Sequence, residues 1–160
     1  MKPFQTILRM SAVAAVFAAS VAFADPYAVG SKITPFSASD QHGAAFTLDA
    51  KATRFVLVSF DMETGKKANA SLTGLGANYL PGKKAVYVAN IFGMPGIGRM
   101  FAIPKMKGYA HRIILADDAN LLTPYPQQPA KVTVLKLDDG KVTKVSYWDP
   151  AAEGVDGHLK

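Results

Sequence analysis

The sequence contains no cysteine among its 160 residues. It can therefore form no disulfide bond, and it offers no thiolate as a nucleophile or as a metal ligand. This absence excludes thiol redox chemistry outright. Stability has to come from a hydrophobic core, which a chain of this length with 49% hydrophobic residues can build as one domain.

Long runs of like charge are also absent. The basic pairs Lys66-Lys67 and Lys83-Lys84 stand between apolar segments, and no tract is rich in arginine or interleaved with aromatic residues. We therefore expect no nucleic-acid binding. The pattern favours a solvated basic face, with weak attraction to anionic surfaces.

Only one long apolar run occurs, and it lies at the N-terminus. Lys2 and Arg9 precede it, and the small-x-small pattern Ala22-Phe23-Ala24 follows it. We interpret residues 1–24 as a cleaved signal peptide rather than an uncleaved anchor, because the run is short and rich in alanine. The chain left after cleavage is expected to begin at Asp25, to carry a net charge of +4, to have no membrane span and to reside in the periplasm.

Three segments predict the buried strands of a mixed sheet. Residues 54–60 (RFVLVSF) and Ala85–Asn90 are continuous apolar runs, typical of strands that are buried on both faces, and we expect them to be adjacent central strands. Residues 112–116 predict a third strand. A short turn of helix capped by Asp117 or Asp118 is expected after it.

Two helices are predicted between these strands. In residues 66–80, apolar side chains recur on one helical face, and Pro81-Gly82 ends the pattern. The second helix is expected to begin at Pro95 and to end at Pro104. The residues expected to face inward are Ala68, Leu72, Leu75 and Tyr79 in the first helix and Ile97, Met100 and Phe101 in the second.

Hairpins are predicted at both ends of the domain. Residues 40–43 form a turn signal between two short extended runs, and residues 138–140 form a stronger one. Residues 151–160 are polar and contain two glycines, so we expect a flexible tail there. The expected organisation is a signal peptide (1–24), one domain (25–150) and a tail (151–160).

These motifs resemble exported members of the thioredoxin-like superfamily, of the peroxiredoxin and periplasmic thiol-disulfide protein types. The opening VGSKITPFSASDQHGAAFTL before RFVLVSF is similar to their "G...P.F...D..G" start, and HRIILADDANLLTPYP and the closing hairpin continue the likeness. YVANIFGMPGIGRMFAIPKM is similar to uncharacterised cysteine-less proteins of proteobacteria. The resemblance implies an α/β fold, a thioredoxin-like mixed sheet with helices on both faces.

The resemblance also implies where a site would lie. Members of the superfamily carry their cysteines after the first central strand, where this chain has Asp61, Met62, Thr64 and Gly65. A cis-proline normally stands beside the site, and Pro126 and Pro129 are both candidates. We expect three segments to converge in a groove with an apolar floor. The candidate binding residues are Asp61, Met62, Thr64, Gly65, Met94, Pro95, Tyr125 and Pro126.

Other constellations have a structural and a functional interpretation. Asp61 and Glu63 match a helix N-cap with a first-turn acid, although they also suit an acid-base pair. Gly93 to Gly98 lacks the third glycine of a dinucleotide fingerprint and the lysine of a P-loop, so nucleotide binding is not indicated. Met100 and Met106, with Met94 and His111, are possible copper(I) ligands, but core packing explains methionines at this spacing better.

Three classes of function follow. The first is a redox-inactive module that binds a periplasmic protein, a peptide or a small molecule at the vestigial active-site edge, without a cofactor. The second is an enzyme with non-thiol chemistry based on Asp61, Glu63 or His111. The third is a copper-handling protein. The certain absence of the nucleophile favours the binding module.

Overall fold

The computed structural model describes residues 24–160. The predicted signal peptide therefore lies outside the described residues, except for Ala24. The strands are β1 Ser37–Asp40, β2 Ala45–Thr47, β3 Phe55–Ser59, β4 Ala85–Asn90, β5 Ile114–Ala116, β6 Val132–Asp138 and β7 Lys141–Trp148. The helices are α1 Met62–Gly74, α2 Tyr79–Gly82 and α3 Gly96–Lys107, and a 3-10 helix covers Val155–Gly157.

One seven-stranded mixed sheet forms the centre of the molecule, in the order β2-β1-β5-β4-β3-β6-β7. Strands β3, β4 and β5 are parallel, with Val56 opposite Val86 and Val88 opposite Ile114. The hairpins β1–β2 and β6–β7 close the two edges in antiparallel pairing. The predicted adjacent central strands and both predicted hairpins are confirmed.

The central strands are buried on both faces, as their continuous apolar sequences predict. Every residue of β3 is buried. Phe55 and Leu57 contribute to a core cluster on one face of the sheet, whereas Val56 and Val58 contribute to a second cluster on the other face. Successive side chains of a strand point to opposite faces, so one five-residue strand supports both cores.

The predicted α/β class and mixed sheet are confirmed, and the three helices pack on one face of that sheet. Ala68 and Leu72 of α1 and Leu80 of α2 join the first cluster, and Met106 of α3 packs against it. Within residues 24–160, no helical side chain joins the second cluster, which loop residues such as Tyr125 cover. The chain steps from β3 to β4 to β5 in one direction, so right-handed crossovers place α1 and α3 on the same face.

The predicted single helix over residues 66–80 is two helices. Helix α1 begins earlier, at Met62, and ends at Gly74 with Leu75 as its C-cap. Gly76 follows with φ +89°, a left-handed conformation that glycine adopts without strain. Consequently Leu75 is 40% exposed rather than buried, and Tyr79 belongs to α2.

Helix α3 differs from its prediction in two ways. It continues past Pro104 to Lys107, and its Ile97, Met100 and Phe101 face outward instead of inward. Pro104 lies on the exposed side of the helix, where a carbonyl left without its amide partner remains open to water. None of the twelve residues of α3 is fully buried.

The C-terminal part of the chain also departs from expectation. Residues 117–125 form turns rather than a short helix. Residues 151–160, expected as a flexible tail, pack onto the first cluster through Val155 and Leu159. The indole Nε1 of Trp148 donates a hydrogen bond to the carbonyl of Glu153 at 2.9 Å, which fixes the start of this segment. No helix in residues 24–160 has the length and apolar character needed to traverse a bilayer.

Candidate functional site

A groove lies between α1 and α3, above the carboxyl ends of β3 and β4. Its volume is about 270 Å³, and most of its lining is apolar. Ser59 and Ala89 from the two strands form part of the floor, and Met62, Met94 and Phe101 form part of the walls. The carboxyl ends of parallel strands are the usual place for binding sites in open α/β sheets.

The start of α1 is organised by Asp61, one of the predicted site residues. Its Oδ1 accepts the backbone N–H of Thr64 at 2.8 Å, and its Oδ2 accepts the Thr64 hydroxyl at 2.8 Å. Glu63 is exposed and pairs with Lys66 at 3.1 Å. The helix-cap interpretation of this acidic pair is confirmed, because both Asp61 oxygens are engaged by Thr64.

The first turn of α1 packs on the sheet at Gly65, which is buried. A Cβ atom at this position would lie 3.5 Å from Ser59 Oγ and 3.8 Å from the Tyr87 hydroxyl oxygen. Those two hydroxyl groups are hydrogen-bonded to each other at 2.8 Å beneath the helix. Burial raises the pKa of Tyr87 well above its ordinary value, so the phenol stays protonated. The sequence did not predict this pair, although Ser59 is the one hydroxyl-bearing residue in RFVLVSF.

Arg99 fixes the loop that leads from β4 into α3. Its guanidinium donates two hydrogen bonds of 2.6 Å to the two carboxylate oxygens of Asp117. It also donates to the carbonyls of Met94 and Ile91, at 3.1 and 3.0 Å. The ion pair lowers the pKa of Asp117 and raises that of Arg99. This clamp holds one wall of the groove in place, and the sequence alone did not reveal it.

Met62, Met94 and Met106 line the groove together. The methionine and histidine set considered as copper ligands is not assembled, because Met100 is 73% exposed on the outer side of α3. His111 is buried, and its Nε2 donates to Asn69 Oδ1 at 2.9 Å. Among residues 24–160, no group of three His, Asp or Glu side chains is placed to hold a metal ion.

The remaining predicted site residues lie elsewhere. Tyr125 packs edge-on against Tyr27, with ring centroids 5.1 Å apart, in the second core cluster. The Pro126 carbonyl accepts the Thr133 hydroxyl at 2.5 Å, and Pro95 stands at the N-cap of α3. All peptide bonds in residues 24–160 are trans, including those before Pro126 and Pro129. The groove thus unites Asp61, Met62, Gly65 and Met94, with Thr64 buried behind Asp61.

Comparison with known proteins gives structural matches only. No model of a protein family and no curated protein sequence matches this chain. The thioredoxin domain of a thiol-disulfide oxidoreductase from Bacteroides vulgatus matches with a TM-score of 0.52 and 19% identity, over 83% of this chain and 99% of that one. A putative thiol:disulfide interchange protein DsbE from Chlorobium tepidum matches with a TM-score of 0.59 and 16% identity, over 83% and 95%.

A third match extends the comparison to peroxiredoxins. Peroxidoxin BcpB from Mycobacterium tuberculosis has a TM-score of 0.56 and 15% identity, over 83% of this chain and 94% of that one. At these identities the matches define the architecture. The mixed seven-stranded sheet and these matches together show that the chain has the thioredoxin-like fold, in a form without a single cysteine.

Proposed function

We propose that this protein is an exported, redox-inactive binding protein whose groove between α1 and α3 takes an apolar ligand. The observation that carries the proposal is the groove itself, a largely apolar cavity of about 270 Å³ above the carboxyl ends of β3 and β4. The ligand is an apolar side chain of a periplasmic protein or peptide, or a small apolar molecule. Export rests on the N-terminal sequence, and sequencing of the exported protein is expected to start at Asp25.

The side chains at the mouth of the groove support binding. Met62 is 47% exposed and Phe101 is 74% exposed, and neither belongs to the two core clusters. Apolar side chains that remain exposed beside a cavity mark ligand or partner sites more often than they mark core packing. The interpretation of Met62 as a cap of the core is therefore the less favoured one.

The polar groups of the groove favour binding over acid-base catalysis. Both carboxylate oxygens of Asp61 already accept hydrogen bonds from Thr64. Ser59 is bonded to Tyr87, whose pKa is raised by burial, so the phenol stays protonated and does not act as a base toward Ser59. These groups orient the helix and the strands and leave the apolar walls as the dominant feature.

A charge placed on one wall tests the proposal. We expect Met62→Glu to weaken binding of a neutral apolar fluorophore, 1-N-phenylnaphthylamine, at least tenfold, because the carboxylate is costly to desolvate in an apolar groove. Leu75→Glu is the matched control, since Leu75 is similarly exposed, at 40%, but lies outside the groove. Both variants should melt close to the wild type. Equal fluorophore binding by wild type and Met62→Glu would contradict the groove as the site.

A second candidate function is copper(I) handling, because three methionines line the same groove. Thioether sulfur is a soft ligand that suits copper(I). The fold brings together Met62 of α1, Met94 of the loop before α3, and Met106 of α3 in the lining of the groove. A copper(I) titration against a competing chelator tests this candidate. If the Met94→Leu and Met106→Leu variants each bind one equivalent of copper(I) fewer than the wild type, the result would support this candidate. If the wild-type protein takes no copper(I) from the chelator, the result would exclude it.

A further inference from the structure

The outer side of α3 is an exposed apolar stripe. Ile97, Met100 and Phe101, spaced i, i+3 and i+4, lie on one face of the helix and are 71–74% exposed. We call these three residues the outer stripe. Phe92, just before the helix, is also exposed. The opposite face of α3 carries the half-buried residues Gly98, Ala102 and Met106 that border the groove.

Positive charge predominates around this stripe. Residues 64–116, which include most of α1 and all of α2, β4 and α3, contain eight lysines and arginines and no aspartate or glutamate. Lys66 and Lys105 line the groove beside the stripe, and Lys67 and Lys107 are exposed on the same two helices. Arg99 of α3 is already paired with Asp117, and Lys66 with Glu63, so Lys67, Lys105 and Lys107 supply the positive surface.

We propose that the outer stripe docks this protein on the surface of an anionic lipid bilayer. An interfacial helix buries apolar side chains about 5–10 Å into the headgroup region while flanking lysines contact anionic headgroups. Helix α3 has both features, because the outer stripe is exposed and Lys105 and Lys107 follow it at the C-terminal end of the helix. Ile97 and Met100 lie outside the groove and only Phe101 also borders it, so docking through the stripe does not depend on what occupies the groove.

Charge decides between lipid and a second copy of the chain. A dimer formed through the outer stripe would place two lysine-bearing surfaces against each other. The nearby carboxylates Glu63 and Asp117 are already paired with Lys66 and Arg99, so like charges would oppose association. An anionic bilayer satisfies the apolar side chains and the lysines at the same time.

Vesicle co-sedimentation tests the proposal with the exported protein, whose N-terminus is first established by mass spectrometry. We expect binding to vesicles of equal parts phosphatidylglycerol and phosphatidylcholine, weakening as sodium chloride rises, and little binding to pure phosphatidylcholine. Ile97→Asn with Met100→Asn, both outside the groove, should reduce binding at least tenfold. Lys107→Gln should reduce it about fivefold, as loss of one surface lysine does.

Val29→Asn is the matched control, because Val29 is 69% exposed but lies outside α3 and the groove. This control should bind vesicles like the wild type, and all variants should keep the wild-type melting temperature. Two results would overturn the proposal. One is the failure of the wild-type protein to co-sediment with anionic vesicles at low salt. The other is vesicle binding that survives the double substitution. A concentration-dependent dimer that this same substitution abolishes, without vesicle binding, would assign the stripe to a second copy instead.

Discussion

His111 is a titratable side chain held where water does not reach it. The residue is 1% exposed, and its ring stacks on Tyr109 with centroids 5.8 Å apart. Its Nε2 donates to Asn69, while its Nδ1 has no hydrogen-bond partner in the described part of the chain. Burial lowers the pKa of His111 from 6.5 to about 4, because a charged imidazolium cannot be solvated there.

This lowered pKa predicts acid sensitivity. Between pH 6.5 and about 4 the unfolded chain binds a proton at His111 and the folded chain does not, so stability present above pH 6.5 is lost as the pH falls. The loss over this window is on the order of 3 kcal/mol. Urea denaturation at several pH values should show a steeper decline for the wild type than for His111→Gln. Parallel declines would mean that other groups control the acid response.

Two glycines at the end of α1 predict opposite effects of the same substitution. Gly74 is helical with open space around its Cβ position, so Gly74→Ala should raise the free energy of unfolding by about 0.5–1 kcal/mol. Gly76 has φ +89°, so Gly76→Ala should lower it by about 1 kcal/mol or more. Denaturation by urea measures both. A stabilising Gly76→Ala would show that residues 75–78 can adopt another conformation at no cost.

Helix α3 is the element with the weakest attachment to the core. None of its residues is fully buried, and only Met106 packs against the first cluster. Arg99 compensates for this lack of apolar burial near the start of α3, because its side chain donates hydrogen bonds to Asp117 and to two loop carbonyls. The position of this helix thus depends on a polar clamp more than on apolar burial.

Removal of the clamp should loosen α3 without unfolding the sheet. We expect Arg99→Ala to speed amide hydrogen exchange in Gly96–Lys107 at least tenfold while exchange in β3 and β4 stays unchanged. Lys66→Ala, which breaks an exposed pair with Glu63, is the control and should change neither region. Uniform acceleration across the sheet would instead make α3 part of the global folding unit.

For the whole molecule, the sequence predicts the sheet better than the surface. Residues 54–60 and Ala85–Asn90 are paired central strands because continuous apolar runs need cover on both faces. The outward direction of Ile97, Met100 and Phe101 escaped prediction. Apolar periodicity shows which residues share a helical face, but not whether another element covers that face. Four of the eight candidate residues line the groove, because strand ends locate it, whereas the choice of Tyr125 and Pro126 depended on the resemblance.

The core predicts how two strand valines differ. Val58 is completely buried, and Val58→Ala should lower the free energy of unfolding by about 1–3 kcal/mol. Val86 is only partly buried, so Val86→Ala should cost less, about 1 kcal/mol or less. Guanidinium denaturation curves of the two variants, fitted with a shared m-value, measure the two costs. Equal costs would place Val86 in a tighter environment than its exposure indicates.

The position of Gly65 allows a cysteine pair to be engineered into this scaffold. Met62 is the first residue of α1, and Gly65 lies three residues later with room for a Cβ in ordinary contact with Ser59 and Tyr87. A pair of cysteines three residues apart at a helix N-terminus lowers the pKa of a thiol. Combined Met62→Cys and Gly65→Cys substitutions should therefore install an oxidisable dithiol at the start of α1. The melting temperature of the double variant should respond to reductant, whereas that of the natural chain should not.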